Sequence, residues 1–376
     1  MGKDLRGKEL GVGISQRSDG LYTARYTDKQ GKRRQKYFKK LQECRNWLAD
    51  AQFENEHGNP LTGDNPTIDA WYQYWINNVK GDNIRYNTRR NYVERYDRNI
   101  KPFIGNMLIK DIKPLHCQNI LNQMAGKYSD IVIMHSRLVM LMMFDSAVEN
   151  ELIPKNPVTK SVKCSNGKKR KEMRALTIDE QKKFLEAVKD ATNYNQYAFV
   201  LQTGLRAGEL IGLRWSDVDL KNRVIHIRRT MEYRFKTKEW ASGEPKTKHG
   251  KRDIPLTQEA VSILKNQKEK LKTLKVIPIE FADCVFLCEN GKPSCQSAYN
   301  TALFYYCDKI GIERFSMHVL RHTFATRCIE AGMKPKTLQM ILGHSNIGIT
   351  MNLYVHVTDD EKLKEVESVE SMLKLV

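Results

Sequence analysis

Short runs of strand-favouring residues occupy the first forty positions of the chain. Gly11–Gln16, Leu21–Thr27 and Arg33–Lys39 partly alternate between apolar and polar residues, and turn-forming residues separate them. Alternation with a period of two is typical of half-buried strands, so these runs predict a three-stranded antiparallel meander. From Leu41 to about His57 the apolar residues recur at helical spacing, which predicts one helix covering one face of that sheet.

The middle of the chain shows helical spacing. A linker rich in glycine, proline and asparagine at 58–66 precedes it, and a basic run at 163–171 marks a second linker. Between the two, apolar stripes predict helices that begin near Ile68, Tyr92, Pro114 and Ile131. These stripes predict the core of a compact all-helical domain.

The remaining residues predict a mainly helical region that contains a small sheet. Thr177 and Glu180 have the spacing of a capping box, in which each side chain accepts a hydrogen bond from the other residue's backbone N–H. Further helices are predicted at 194–203, 207–212, 257–273, 294–310, 316–331, 335–342 and 346–353. Apolar residues across 224–232 predict one strand, and 251–256 predicts its partner.

The length of 376 residues exceeds that of a typical single domain, which is about 150 residues. We predict a multidomain protein with a three-stranded β-sheet plus a helix in 1–64, an all-α domain in 65–165, and a mainly α domain with a small β-sheet in 166–376. The third domain ends in an acidic tail at 359–376, where apolar residues recur every three or four positions, as in an amphipathic helix.

The apolar pattern and the chain start exclude a membrane-spanning or secreted protein. The longest apolar stretch, Ile131–Phe144, is interrupted by His135, Ser136 and Arg137, and it is shorter than the about 20 apolar residues that cross a bilayer. The first residues lack the apolar segment of a signal peptide. These observations predict a cytoplasmic protein, in which the eight cysteines are reduced thiols.

No cofactor or metal is expected from the sequence. Cys284, Cys288, Cys295 and Cys307 lie close together in the chain but lack the paired spacing of a zinc site. Buried structural thiols explain them better.

The charge balance of the chain indicates the kind of partner it binds. Lysine and arginine outnumber aspartate and glutamate by 63 to 44, and the net charge of +19 favours a polyanionic partner such as nucleic acid. Residues 1–40 hold twelve basic side chains against four acidic ones, so the uncovered sheet face is predicted to be basic and to suit a DNA groove, with a solvated edge as the alternative. DNA contacts are predicted, in the sheet and beyond it, for Arg25, Arg33, Arg34, Lys36, Arg89, Arg90, Lys168, Lys169 and Arg170.

Four separated segments carry residues that phosphoryl transfer needs. They are TGLRAGEL at 203–210, PKTKHGKRDIP at 245–255, HVLRHTFAT at 318–326 and LGHSN at 342–346. In the first, Arg206 offers a planar fork to two phosphate oxygens, and Glu209 lies on the same helix face, where it supports that fork. In the second, Lys246 is predicted near the tip of a hairpin. Each segment alone also fits an ordinary surface pair or a solvated turn.

The joint order and spacing of the four segments, with Tyr354 ten residues beyond the histidine of the last, resemble the signature of the tyrosine recombinases. This is the lambda-integrase-like, or phage integrase, family of site-specific DNA recombinases. The resemblance covers essentially the whole chain and is strongest to the integrases of Gram-positive phages and conjugative transposons. It implies that the catalytic residues are Arg206, Lys246, His318, Arg321, His344 and, as nucleophile, Tyr354.

The chemistry of a phosphodiester agrees with those roles. Arg206 and Arg321 would hold the negative charge that builds on the non-bridging oxygens, in place of a metal. An unperturbed tyrosine has a pKa of about 10, so His318 is the candidate base or orienting group, and His344 would donate to a phosphate oxygen. Lys246 would protonate the 5′ oxygen that leaves. A 3′-phosphotyrosyl link conserves the bond energy, so ATP is not needed.

The resemblance also implies partners. Residues 1–64 would bind arm-type DNA sites, 65–165 would bind the core sites, and 166–376 would cut them, within a homotetramer on two DNA duplexes. An accessory excision or DNA-bending protein is a further implied partner. The tail at 359–376 would dock on a neighbouring protomer, with folding back onto its own domain as the alternative. The expected reaction is integration and excision of a mobile element.

Two other functions stay open from the sequence. A type IB topoisomerase uses a similar site and reseals the same strand, although the separate N-terminal sheet and the acidic tail favour assembly on two DNAs. A DNA-binding regulator with an inactive site would keep the fold, but all six catalytic positions are intact. Trapping of covalent protein on nicked DNA distinguishes the regulator from the enzyme.

Overall fold

The structure is a computed structural model that describes residues 2–27, 33–57, 65–164 and 174–354. Its contacts divide the chain into two compact units, residues 1–170 and 171–376. The first unit contains one hydrophobic cluster in the N-terminal sheet and another in the helices that follow it, and the second unit is built around a larger core. These are the sheet, all-helical and mixed regions of the predicted fold class.

The N-terminal meander is present as predicted. The elements in chain order are β1 (Gly2–Lys3), β2 (Glu9–Gly11), β3 (Ile14–Gln16), β4 (Tyr22–Thr27), β5 (Arg33–Phe38) and α1 (Leu41–His57). Strands β3, β4 and β5 form an antiparallel sheet in that order, and Ala24, Cys44 and Leu48 are buried where α1 packs on it. The β1–β2 ribbon was not predicted because its strands are too short to show an alternating pattern.

The helices of 65–164 pack around aromatic side chains. Their bounds are α2 (Ile68–Tyr74), α3 (Tyr86–Arg95), α4 (Lys101–Ile104), α5 (Pro114–Met124) and α6 (Asp130–Glu149). Turns of π-helix at 75–79 and 96–100 continue α2 and α3. The Tyr72 and Tyr96 rings stack with their centroids 3.5 Å apart. The apolar stripes of the sequence therefore form the core of this domain, as predicted.

Helix α6 is long and apolar enough, by length and composition alone, to cross a membrane, and it is the one such helix among the described residues. Ile133 and Phe144 on this helix are buried in the core of the helical domain. Arg137 donates hydrogen bonds to the Thr159 and Val162 carbonyls, which ties the following chain to the helix. We therefore assign α6 as the central core helix of this domain.

The helices of the second unit follow the predicted order. They are α7 (Ile178–Val188), α8 (Tyr194–Thr203), α9 (Ala207–Ile211), α10 (Gln258–Lys272), α11 (Gln296–Ile310), α12 (Met317–Glu330), α13 (Pro335–Leu342) and α14 (Ile347–Tyr354). At the start of α7, Thr177 and Glu180 form both hydrogen bonds of the predicted capping box. Helix α8 is mostly buried and packs against α10 and α12, so the segment that follows α8 is fixed within the core.

The prediction for the strands of this unit is partly wrong. The strands are β6 (Val218–Asp219), β7 (Val224–Ile227), β8 (Thr230–Arg234), β9 (Glu239–Gly243) and β10 (Arg252–Pro255). Strand β7 pairs with β10 and β6, whereas β8 pairs only with β9 within the described chain, so 224–232 is not one strand. Residues 243–255 are not a hairpin either, because β9 and β10 belong to different sheets. Tyr233 and Trp240 stabilise the separate β8–β9 ribbon, with ring centroids 5.2 Å apart.

Candidate active site

Arg206 lies at the junction of two helices. Helix α8 ends at Thr203 and is capped by Gly204, whose φ of 64° is left-handed. A Cβ at Gly204 would lie 2.4 Å from the Phe324 ring, so the turn requires glycine. Arg206 then occupies the N-cap position of α9. Glu209 accepts hydrogen bonds from the Arg206 backbone N–H at 3.0 Å and from its Nη1 at 2.8 Å. The carboxylate thereby fixes both the backbone and the guanidinium of Arg206.

Arg321 is buried in α12 and contacts the ends of two helices. Its Nη1 donates to the Gly204 carbonyl and its Nη2 to the Leu342 carbonyl, each at 2.7 Å. These carbonyls terminate α8 and α13, where the helix dipole concentrates negative charge and stabilises a cation. Arg206 Nη2 donates at 3.2 Å to the carbonyl of Gly343, the residue that follows Leu342. The turns after α8 and α13 therefore position both arginines: Arg321 donates to a carbonyl in each turn, and Arg206 directly follows the first turn and donates to the second.

A third arginine, Arg252 at the start of β10, completes the cluster, and the sequence analysis missed it. Its Nη1 and Nη2 lie 3.0 and 2.9 Å from the two carboxylate oxygens of Glu209, and both side chains are buried. Its Nε donates to the Ile341 carbonyl. The available sequence signal was the period-two spacing from Ile254, which places Arg252 on the buried face of β10, where a charge requires a partner.

Glu209 is the shared acceptor of this cluster. Burial alone would raise the pKa of its carboxyl, but hydrogen bonds and charge from Arg252, with charge from Arg206 and Arg321, lower the pKa to about 2. Burial and Arg206 lower the pKa of Arg321 to about 9, which leaves it protonated at neutral pH. Three guanidinium groups against one carboxylate give the cluster a net charge of +2. Such a site suits the negative charge of a phosphodiester under attack.

Three histidines near the arginines are neutral at neutral pH. Burial, followed by Arg321 and Arg206, lowers the pKa of His318, and the same causes lower the pKa of His344 to about 4. Burial, followed by His318 and Arg321, lowers the pKa of His322 to about 4. The His318 and His322 rings meet edge to face, with centroids 4.4 Å apart, and His322 had not been singled out in the sequence. A neutral imidazole keeps a lone pair, which is what a general base needs.

The turn between α13 and α14 positions His344. Gly343 is left-handed, with φ of 64°, and a Cβ there would lie 2.7 Å from the His249 carbonyl oxygen. The His344 backbone N–H bonds the Gln339 carbonyl, and the Gln339 side-chain amide donates back to the His344 carbonyl. On the ring, Nδ1 lies 2.9 Å from the Thr350 hydroxyl in α14. Nε2 is therefore the ring nitrogen left for a ligand.

Two of the predicted catalytic residues, Lys246 and Tyr354, are not among the contacts of the arginine cluster described above. Lys246 is exposed on the connection from β9 to β10, where Glu244 and Lys251 form an ion pair at 2.5 Å. Tyr354 is the last residue of α14, and its side chain lies outside the described residues. The contacts and charge interactions thus bring together five predicted residues, which are Arg206, Glu209, His318, Arg321 and His344.

The basic residues predicted to contact DNA through the N-terminal sheet do not share one face. The strand register places Arg25 and Arg33 on the face that α1 leaves open. Arg34 and Lys36 alternate with them and lie on the face that carries α1, where the Lys36 ammonium stands 5.8 Å from the Trp47 ring centroid. The open face therefore offers fewer cations than the residue count implies.

The open face also carries polar and aromatic groups. Arg25 donates to the Ser15 hydroxyl at 3.1 Å, and the Arg17 guanidinium lies 4.9 Å from the centre of the exposed Tyr37 ring. Hydroxyls, cations and an aromatic ring on one flat surface are the groups that contact a DNA backbone. A residue such as Lys36, which packs over a ring, is a weaker candidate for that role.

The remaining predicted DNA contacts differ in their surroundings. Arg89 donates to the Ile76 carbonyl at 2.6 Å and to the Asn77 side chain at 2.5 Å. Its guanidinium therefore binds the π-helical turn that follows α2. Arg90, the next residue, is exposed. Lys168, Lys169 and Arg170 lie outside the described residues.

The four neighbouring cysteines do not all share one environment. Cys284 and Cys307 are buried, whereas Cys288 and Cys295 are half-buried. Burial raises the pKa of the Cys284, Cys288 and Cys307 thiols, which favours the protonated form.

Comparison with known proteins places this chain in a family. Residues 174–361 match the phage integrase family, and residues 67–125 match the phage integrase N-terminal SAM-like domain. The transposase from transposon Tn916 of Enterococcus faecalis is 30% identical, over 97% of this chain and 96% of the relative. The Tn1549 transposon integrase, solved in complex with transposon right end DNA, is 27% identical with a TM-score of 0.70, over 81% of this chain and 99% of that one.

A more distant structure has the same fold. A lambda integrase tetramer bound to a Holliday junction aligns with a TM-score of 0.59 at 17% identity, over 92% of this chain and 95% of that one. The chain therefore belongs to the phage integrase family of tyrosine recombinases. It is a site-specific DNA recombinase, and the class predicted from the four segments is confirmed.

Proposed function

We propose that this recombinase integrates and excises a mobile DNA element by cutting each strand through a 3′-phosphotyrosyl intermediate. The observation that carries the proposal is the cluster of Arg206, Arg252 and Arg321 around the buried Glu209, whose net positive charge suits a phosphate under attack. The transposase of Tn916, which aligns over nearly the whole chain, supports a mobile element as the substrate. It also favours strand exchange over topoisomerase-like resealing.

In this mechanism the Tyr354 hydroxyl oxygen attacks the scissile phosphorus, and the bond from phosphorus to the 5′ oxygen breaks. Arg206 and Arg321 stabilise the charge on the non-bridging oxygens. His318, which is neutral, accepts or orients the phenolic proton, and Lys246 delivers a proton to the leaving 5′ oxygen. Attack by the 5′-hydroxyl of another strand on the phosphotyrosyl bond then rejoins the DNA and restores Tyr354.

The proposed assembly is a homotetramer on two duplexes in the cytoplasm. Residues 65–165 and 166–376 would hold the core site, while the open face of the N-terminal sheet would bind separate arm-type sites. The tail at 359–376 would dock on a neighbouring protomer, and an accessory excision or DNA-bending protein would set the direction. The tetramer of lambda integrase, which has the same fold, is consistent with this assembly.

The two faces of the N-terminal sheet test the arm-site role. Arg25→Ala removes a cation from the open face and should weaken binding to outlying sites while core cleavage continues. Lys36→Ala is the matched control, because that ammonium lies on the face that carries α1. Footprinting of the DNA beside the element measures both variants. Equal footprints for wild type and Arg25→Ala would favour the solvated-edge interpretation of this face.

Covalent trapping tests the reaction itself. Suicide substrates with a nick beside the cleavage site should trap the protein on a 3′ end, and EDTA should not change the yield. Tyr354→Phe removes only the hydroxyl, so it should bind DNA and trap none. Trapping by that variant, or dependence on Mg²⁺, contradicts the mechanism, and DNA binding without any trapping by the wild type indicates the inactive regulator. Transfer of the trapped strand to a second duplex distinguishes recombination from topoisomerase activity.

A further inference from the structure

Among the described residues, the His344 ring has a hydrogen-bond partner at Nδ1 and none at Nε2. Nδ1 lies 2.9 Å from the hydroxyl oxygen of Thr350, and Thr350 is fully buried. Two hydrogen bonds to Gln339 fix the backbone on which the ring is mounted. The charged and titratable groups whose electrostatic interaction reaches the ring are Arg321, Arg206, His322 and Arg252. The ring therefore lies beside the arginine cluster with Nε2 left for a ligand.

A neutral imidazole has one N–H and one lone pair, so its tautomer decides what Nε2 offers. If Nδ1 carries the proton, it donates to Thr350 and Nε2 presents a lone pair, which repels an anion. If Thr350 donates to Nδ1, the proton lies on Nε2, which then donates to an anion. Burial and the arginines lower the pKa of His344 to about 4, so the doubly protonated ring that would donate from both nitrogens is rare at neutral pH.

We propose that Thr350 is a positioning residue, whose hydroxyl donates to His344 Nδ1 and holds the ring in the tautomer that donates from Nε2 to the scissile phosphate. This inference rests on the proposed function of the site. It assigns the threonine hydroxyl a task beyond packing, because a buried side chain of this shape would pack equally well as valine. Thr350 lies on α14, the helix that ends at Tyr354, so one helix carries both the hydroxyl and the proposed nucleophile.

Two substitutions separate the hydroxyl from the shape of the side chain. Thr350→Val keeps the branched shape and removes the donor, whereas Thr350→Ser keeps the donor and removes a methyl group. In single-turnover trapping at pH 7, we expect Thr350→Val to slow covalent capture by at least about tenfold, because it weakens a donor whose complete removal typically costs about 100- to 1000-fold. Thr350→Ser should regain most of the rate, and gel-shift affinity for uncut DNA should be unchanged in both.

A double-mutant cycle with His344→Ala tests whether Thr350 acts through His344. If it does, adding Thr350→Val to His344→Ala causes no further loss of trapping rate. A multiplicative loss in the double variant overturns the proposal and leaves Thr350 with a packing role. Thr350→Ser as slow as Thr350→Val, with both folded, also overturns it.

Nitrogen-15 spectra of histidine-labelled full-length protein give a readout independent of activity. The chain has nine histidines, and the His344→Ala spectrum assigns the His344 signals by difference. We expect Nε2 to be protonated and Nδ1 unprotonated in the wild type and in Thr350→Ser, with this preference reduced in Thr350→Val. A protonated Nδ1 in the wild type excludes the proposal. Failure of the wild type to trap DNA contradicts the proposed function, whereas trapping by Thr350→Val at the wild-type rate contradicts only this inference.

Discussion

The arginine cluster and the connection that carries Lys246 serve the same proposed reaction in opposite surroundings. In the cluster, the Arg252, Glu209 and Arg321 side chains are at most 6% exposed. Arg252 donates to the Glu209 carboxylate and Arg321 to helix-end carbonyls, while the more exposed Arg206 also donates to Glu209. Lys246 is exposed between two separate sheets. The groups proposed to bind the phosphate are thus held by the protein before DNA arrives, whereas the group proposed to deliver a proton lies on the surface. Substitutions in the cluster should therefore affect stability and catalysis together, and substitutions in the connection should affect catalysis alone.

The largest effect is expected for Glu209→Gln. The substitution leaves Arg252 and Arg321 buried without their counter-charge, and loss of one partner of a buried pair costs about 3–5 kcal/mol. Urea unfolding of the full chain measures this loss, and covalent trapping should disappear with it. Glu186→Gln is the control, because it removes an exposed ion pair with Lys189, and solvent screening leaves such pairs with little effect on stability. Equal stability of the two variants would contradict the role of Glu209.

A smaller effect, confined to the chemistry, is expected for Lys246→Ala. The unfolding midpoint should not change, while cleavage should slow by about 100-fold or more, as for a lost general acid. Sulfur in place of the bridging 5′ oxygen needs no proton to leave, so this substrate should restore the rate. Lys251→Ala, on the same connection, is the control and should cleave both substrates normally. If Lys246→Ala is equally slow on both substrates, Lys246 positions the phosphate instead of donating a proton.

The most gradual effect is expected from mild acid, because it is spread over a range of pH. The pKa values of His322 and His344 fall from 6.5 to about 4 on folding, so between these values the unfolded chain binds more protons than the folded chain. Stability should therefore fall as the pH drops from 6.5 toward 4, and this window stays above the pKa of Glu209. Thermal unfolding at several pH values measures the slope, which His322→Asn should flatten. His226→Asn, on the outer face of β7, is the comparison variant, and equal slopes would place the acid sensitivity outside the cluster.

Local patterns made most of the fold predictable, and contacts between distant segments account for what was missed. The meander, the helices and the Thr177–Glu180 capping box follow from spacings of two to four residues, as does the pairing of Arg206 with Glu209. The partnership of Arg252 with Glu209 spans 43 positions, so no local pattern contained it. The pairing of β8 with β9 depends on side chains that meet across the ribbon, and a period within one strand does not identify the partner strand.

Main-chain carbonyls support both proposed catalytic arginines: Arg321 donates to those of Gly204 and Leu342, and Arg206, besides its bond to Glu209, donates to that of Gly343. Every amino acid supplies a carbonyl, so replacing Leu342 by another residue leaves that support intact as long as the two helices still end at the same places. The identity of the residue matters at only a few supporting positions, which are the two left-handed glycines, Glu209 and its partner Arg252. We therefore expect relatives such as the one that is 30% identical to keep this support for the two arginines through the path of the backbone, although most of their side chains differ.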